Sequence, residues 1–103
     1  LALPPLTPEQ RAAALEKAAA ARRARAELKL RLKSGSTSLA AALDSGETDD
    51  AVGKMKVVAV LEAMPGVGKV RAQKLIETLE ISPARRVRGL GAKQREALLR
   101  AFE

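Results

Sequence analysis

Met64-Pro65-Gly66-Val67-Gly68-Lys69-Val70-Arg71 interrupts two stretches of helical periodicity, and its reading decides the fold. Upstream, Val57, Val60, Leu61 and Met64 fall at i, i+3, i+4 and i+7, one apolar stripe of a helix. Downstream, Ala72, Leu75, Ile76 and Leu79 repeat the pattern. Between them a Gly-x-Gly turn opens a helix that begins with Lys69 and Arg71. Glycine lets backbone N–H groups approach an anion closely, the helix start adds partial positive charge, and the basic side chains add full charges. Such a turn is suited to holding a phosphate.

Working outward, the N-terminal side predicts a long helix from Pro8 to about Lys33. Thr7 can cap it, Pro8 suits its first position, and Gln10 completes a capping box. The Ala-rich run has high helix propensity, but its large apolar residues are only Leu15, Leu28, Leu30 and Leu32. The helix is therefore expected to dock at its C-terminal end and project into solvent before that. Ser34-Gly35-Ser36-Thr37 stops it, Ser38 to Leu43 forms a short helix, and Thr48-Asp49-Asp50 caps another turn before Gly53. Helices are expected over Lys56–Met64 and Lys69–Leu79. Ser82-Pro83 is expected to cap a single turn holding Ala84, Arg85 and Arg86. A last helix runs from about Gly91 to Phe102, with Leu98 and Phe102 inward. No strand is expected.

Charge divides the chain into three parts. Residues 1–33 carry eight Lys and Arg against three Glu, and residues 34–53 carry only Asp44, Glu47, Asp49 and Asp50. Residues 54–103 carry eleven basic residues against five acidic ones. The formal net charge of +7 favours a polyanionic partner or an acidic membrane surface. Arg85-Arg86-Val87-Arg88 directly precedes a second glycine pair, Gly89-Leu90-Gly91. This pair looks like a faint repeat of Gly66-Val67-Gly68. Three arginines so close repel one another unless an anion neutralises them. Arg22, Arg23 and Arg25 either follow a duplex backbone or simply keep an Ala-rich helix soluble.

Composition excludes much else. With no Cys and no His, disulfides, thiolate chemistry, most zinc sites and the usual neutral-pH base are absent. Phe102 is the one aromatic residue, so base stacking on aromatic platforms is not expected. Ala63 to Lys69 has only a superficial P-loop look: Val70 stands where a magnesium-binding Ser or Thr is needed, and a helix precedes in place of a strand. Lyase chemistry of the kind found beside helix-hairpin-helix turns needs a Lys or terminal Pro nucleophile with a carboxylate. Pro4 and Pro5 are not terminal, no Asp follows Asp50, and Glu62, Glu77, Glu80 and Glu96 sit on ordinary helix faces. No apolar run reaches membrane-spanning length and no signal-peptide core opens the chain, so a cytoplasmic, non-enzymatic protein is expected.

At this point the chain resembles the actinobacterial (mycobacterial-type) integration host factor family. The likeness rests on Leu6-Thr7-Pro8-Glu9-Gln10-Arg11-Ala12-Ala13-Ala14-Leu15-Glu16-Lys17-Ala18, on Gly53-Lys54-Met55-Lys56-Val57, on Val67-Gly68-Lys69-Val70, and on Arg85-Arg86-Val87-Arg88-Gly89-Leu90-Gly91. Each piece is short, but their order and spacing together are specific. The resemblance implies an all-α fold, a long N-terminal helix packed on a small helical domain with a helix-two-turns-helix (helix-hairpin-helix-like) motif. It implies no relation to the two-subunit, β-armed integration host factors. The expected segments are 1–35, the long basic helix, and 36–103, the globular DNA-binding domain.

The function it implies is that of a nucleoid-associated protein. Such a protein binds double-stranded DNA with little sequence preference and alters DNA topology and compaction. Carried over by motif, the DNA-binding residues are Met64, Pro65, Gly66, Val67, Gly68, Lys69, Val70 and Arg71, with Arg85, Arg86 and Arg88 beside them. The chain is then expected to act as a monomer in the cytoplasm and nucleoid, able to bridge two duplexes. No cofactor, metal, small-molecule substrate or membrane is expected. One alternative is a structured-RNA-binding or ribosome-associated module using the same turn. Another treats the N-terminal helix as a partner-docking element, although its a/d seam is mostly alanine.

Overall fold

The computed structural model describes residues 5–102, over which the chain is all-helical. Pro4 and the three residues before it lie outside the described residues, as does Glu103. Helix α1 (Pro8–Ser34) starts with the expected capping box. Gln10 N–H donates to Thr7 Oγ1 at 3.1 Å, and Thr7 N–H donates to Gln10 Oε1 at 3.0 Å. Gly35, at φ 77°, closes the helix, and Ser36 N–H returns to Arg31 O at 3.0 Å. Of the large apolar residues in α1, Leu28 and Leu32 are buried, whereas Leu15 and Leu30 stay 65% and 69% exposed. Leu28 and Leu32 are one turn apart and share a face. Leu30, two residues from each, points about 160° away from it. Docking at the C-terminal end is therefore carried by two leucines and not three.

Short helices follow. Ser38 caps α2 (Leu39–Ser45) by accepting from Ala41 N–H at 3.1 Å. Asp49 caps α3 (Asp50–Gly53) by accepting from Ala51 N–H at 2.9 Å. Helix α4 (Val57–Glu62) is shorter than the periodicity suggested. Ala63 N–H and Met64 N–H bond three residues back, to Val60 O and Leu61 O, so the helix tightens and ends before Pro65. Helix α5 (Lys69–Thr78) and helix α6 (Ala92–Ala101) complete the set, with a 3-10 turn at Val87–Gly89 between them.

Leu32, Val57, Val60, Leu61, Ala72, Ile76 and Leu98 are each no more than 1% exposed and join α1, α4, α5 and α6 in one core. Each buried Leu, Ile or Val side chain contributes about 1.5–3 kcal/mol. Phe102 packs against the edge of this core, half-buried. The core thus fixes α4 and α5 on each other and suspends residues 63–68 between two anchored helices. No helix among the described residues is long and apolar enough to cross a membrane.

One expectation fails locally. Ser82-Pro83 starts a single turn, with Arg85 N–H on Ser82 O at 2.9 Å, but no helical turn carries Arg85 and Arg86. The chain extends instead, with Arg86 at φ −97° and ψ 157°. The reason is tertiary. Val57 N–H donates to Arg85 O and Val87 N–H to Met55 O, both at 2.9 Å, pairing Lys56 with Arg86 in an isolated antiparallel bridge. Two backbone bonds to the chain entering α4 outweigh the single bond that another turn would add.

Candidate functional site

The turn between α4 and α5 is open by construction. Gly66 sits at φ 73° and Gly68 at φ 61°, both in the region that favours glycine. Between them Val67 is buried and pins the turn to the core, with its N–H on Met64 O at 3.2 Å. A Cβ built on Gly66 or Gly68 would meet nothing within 4 Å, so both glycines serve backbone conformation and leave the approach clear. Met64 is half-buried, and Pro65, Lys69, Val70 and Arg71 are exposed.

Helix α5 differs from α1, α2 and α3 in having no side-chain cap, since Gly68 occupies its N-cap. The N–H groups of Gly66, Gly68, Lys69, Val70 and Arg71 therefore find no acceptor among the described residues. Nor do Lys69 and Arg71 enter any ion pair among them. Backbone donors, a helix dipole and two free cations converge on one open patch. Such an arrangement is suited to holding an anion.

The arginine cluster is built differently. Arg85 Nη1 donates to Gly89 O at 3.1 Å, and Arg86 Nη1 donates to Lys54 O at 2.9 Å. Arg88 donates twice to Gly46 O, from Nε at 3.2 Å and Nη2 at 3.1 Å, and its Nη1 pairs with Asp50 Oδ1 at 2.9 Å. The hydrogen bond from Arg88, and then its charge, hold the Asp50 carboxyl below the usual carboxylate range. Mutual repulsion among the three arginines is thus relieved from within, by three carbonyl oxygens and one carboxylate. Arg85 and Arg86 keep exposed guanidinium groups with N–H donors to spare.

The bridge also brings in residues that the sequence did not single out. Residues opposed in an antiparallel pair project to the same side. Met55, Val57 and Val87 face the core, and Lys56 and Arg86 face solvent together. Lys54 lies beside them, its carbonyl holding Arg86. No local signal marks Lys56, because only the long-range pairing places it there.

The suggested repeat of glycine turns stops at the sequence. Gly89 does not adopt a positive φ, and Gly91, at φ −71° and ψ 156°, is an ordinary N-cap of α6. Its N–H is taken by Gln94 Oε1 at 3.2 Å, an acceptor that Gly68, the N-cap of α5, lacks.

An all-helical chain whose two core helices are joined through an open glycine turn belongs to the helix-two-turns-helix class. Residues 32–102 match the family model described as an S13-like H2TH domain. The chain is 66% identical over 103 residues to the integration host factor of Mycolicibacterium smegmatis, covering 100% of this chain and 98% of that one. It is 66% identical over 102 residues to that of Mycobacterium tuberculosis, covering 99% and 97%. It is 63% identical over 102 residues to that of Streptomyces coelicolor, covering 99% and 95%. A solved structure described as "Structure of sIHF bound to an 8bp palindromic DNA" superposes with a TM-score of 0.83 at 57% identity, over 85% of this chain and 99% of that chain. The chain belongs to the actinobacterial integration host factor family. It is not an enzyme.

Proposed function

We propose that this chain is a nucleoid-associated architectural protein that grips the phosphate backbone of double-stranded DNA with little sequence preference. The observation that carries the reading is the set of unpartnered N–H donors at Gly66, Gly68, Lys69, Val70 and Arg71, flanked by two unpaired cations among the described residues. Backbone donors and Lys or Arg ammonium and guanidinium groups position a protein on phosphates but carry no base code. A DNA-bound relative of the same fold supports the duplex as ligand over structured RNA.

In this reading Met64 to Arg71 form the first grip. Arg85, Arg86 and Lys56 form the second, backed by Arg88. Two faces on one monomer can hold two stretches of duplex together, which is how the chain compacts DNA and alters its topology in the nucleoid. The 1–35 segment, with α1 projecting from the 36–103 domain, adds general positive charge around these grips.

Titrating duplex affinity against salt tests the mechanism. With ~4–7 phosphates engaged, log K should fall with log salt at a slope of about −4 to −6. Salt-insensitive binding would sink the reading. Preferential retention of structured RNA over duplex DNA of equal charge would transfer the same surface to the other ligand.

A further inference from the structure

Arg88 occupies a slot that the sequence alone does not reveal. Gly46 and Gly53 are both buried, and neither has a positive φ. A Cβ on Gly46 would lie 2.5 Å from Val87 Cγ1. A Cβ on Gly53 would lie 2.5 Å from Gly46 O and 2.8 Å from Arg88 Nε. Val87 fills the space that a side chain on Gly46 would take, and the Gly46 carbonyl together with the Arg88 guanidinium fills that of Gly53. The guanidinium lies over Gly53, turns two donors onto Gly46 O and a third onto Asp50, and so joins the loop after α2 to α3 and to the 3-10 turn.

We propose that Arg88 is a positioning residue that clasps the Arg85-Arg86 strand to Lys56, presetting the second duplex-binding face, and is not itself a phosphate ligand. This deepens the duplex reading given above and rests on it. Arg88 leaves its segment on the side of the acidic residues 44–50, whereas Arg86 and Lys56 leave the bridge on the solvent side. The fork geometry decides the role. Three nitrogens of one planar group reach two acceptors on different elements, and a lysine ammonium cannot span both. Two residues of the acidic segment gain a purpose as well: Asp50 receives Arg88, and Asp44 pairs with Arg95 of α6.

Two measurements on the full chain test the clasp, using Arg88→Lys, which keeps the charge, and Arg88→Gln, which removes it. Hydrogen exchange at Val57 N–H and Val87 N–H, the two bridge donors, should accelerate at least about tenfold in both variants. The Ile76 amide in α5 should be unchanged, which separates a loosened clasp from general unfolding. Duplex affinity should fall by a similar factor, about three- to tenfold, in both variants. Adding Arg86→Gln to Arg88→Gln should then cost less than Arg86→Gln costs alone, because the face is already lost.

Bridge amides unchanged in Arg88→Gln would overturn the clasp. So would an Arg88→Lys variant binding like the parent while Arg88→Gln and Arg86→Gln lose affinity multiplicatively, as independent phosphate ligands do. Loosened amides with undiminished duplex affinity would instead overturn the assignment of this face to the duplex. A parent chain that does not bind duplex at all would overturn the underlying reading and leave the amide result to judge the clasp.

Discussion

The Gly66–Arg71 turn and the Arg85–Arg88 strand are both basic, yet they reach that state by opposite routes. At the turn nothing in the described chain touches the donors: two positive-φ glycines, one buried valine and an uncapped helix leave them aimed at solvent. At the strand every arginine spends at least one donor on the protein, and the backbone is tied to Lys56 from both sides. The first is preorganised by backbone conformation, the second by cross-chain tethers. Preorganised donors lose little freedom on binding, so the turn should carry the larger share of affinity per residue. Tethered side chains add reach and a second direction of contact.

The sharpest way to break this contrast is charge reversal. Lys69→Glu should weaken duplex binding by about 10- to 100-fold, the equivalent of a charged hydrogen bond worth about 1.5–3 kcal/mol. Arg86→Glu should cost less, about tenfold, and Arg11→Glu on the projecting part of α1 less than about threefold. Fluorescence anisotropy on one duplex, with helicity followed alongside, measures all three. Equal losses would mean diffuse attraction and would erase the distinction between the regions.

Backbone substitution comes next. Gly68 combines φ 61° with ψ 177°, a conformation essentially closed to other residues, so Gly68→Ala should cost about 1–3 kcal/mol in urea unfolding. Gly89→Ala, where a Cβ would meet only the flexible Arg85 side chain, Cδ at 3.5 Å and Nη1 at 3.7 Å, should change stability by less than about 0.5 kcal/mol. If the two costs matched, the claim that one glycine turn is conformational and the other merely permissive would fail.

The smallest effect is that of acid. Asp50 has its pKa lowered by Arg88, so the stability it lends the strand is present above the unfolded value, about 3.9, and disappears as pH falls through the lower folded value. With no His in the chain, duplex binding at fixed salt should be flat between about pH 5 and 8. Following the Asp50 carboxyl by NMR should show a midpoint below the ordinary range that rises to it in Arg88→Gln. An unshifted midpoint in the parent would remove Asp50 from the clasp.

How much of this was legible beforehand follows the range of the interactions. Thr7, Pro8 and Gln10 specify the start of α1 within four residues, and Ser38 and Asp49 do the same for α2 and α3, so local reading succeeds there. Gly66 and Gly68 announce their turn because few residues can occupy those backbone angles. The Lys56–Arg86 pairing joins segments far apart in sequence, and nothing near either residue encodes it. Gly46 and Gly53 look like loop glycines, and the close packing of Val87 on the one and of Arg88 and the Gly46 carbonyl on the other appears only in the fold. The likeness between Gly66-Val67-Gly68 and Gly89-Leu90-Gly91 misled for the same reason: equal letters took different backbone angles under different tertiary constraints.

Helix α1 carries a thermodynamic consequence of its own. It is anchored by buried Leu28 and Leu32 and by half-buried Ala19, Ala21, Ala24 and Arg25, while the turns from Pro8 to about Glu16 expose every side chain. Those turns are held by a capping box and alanine propensity, a helix–coil equilibrium, and the remainder by a packed core. Heating should therefore fray the molecule from one end before the core gives way, and about nine of the 27 residues of α1 belong to the part that leaves first. The heat absorbed and the helix lost will not trace the same curve, so one midpoint cannot describe the stability of this chain.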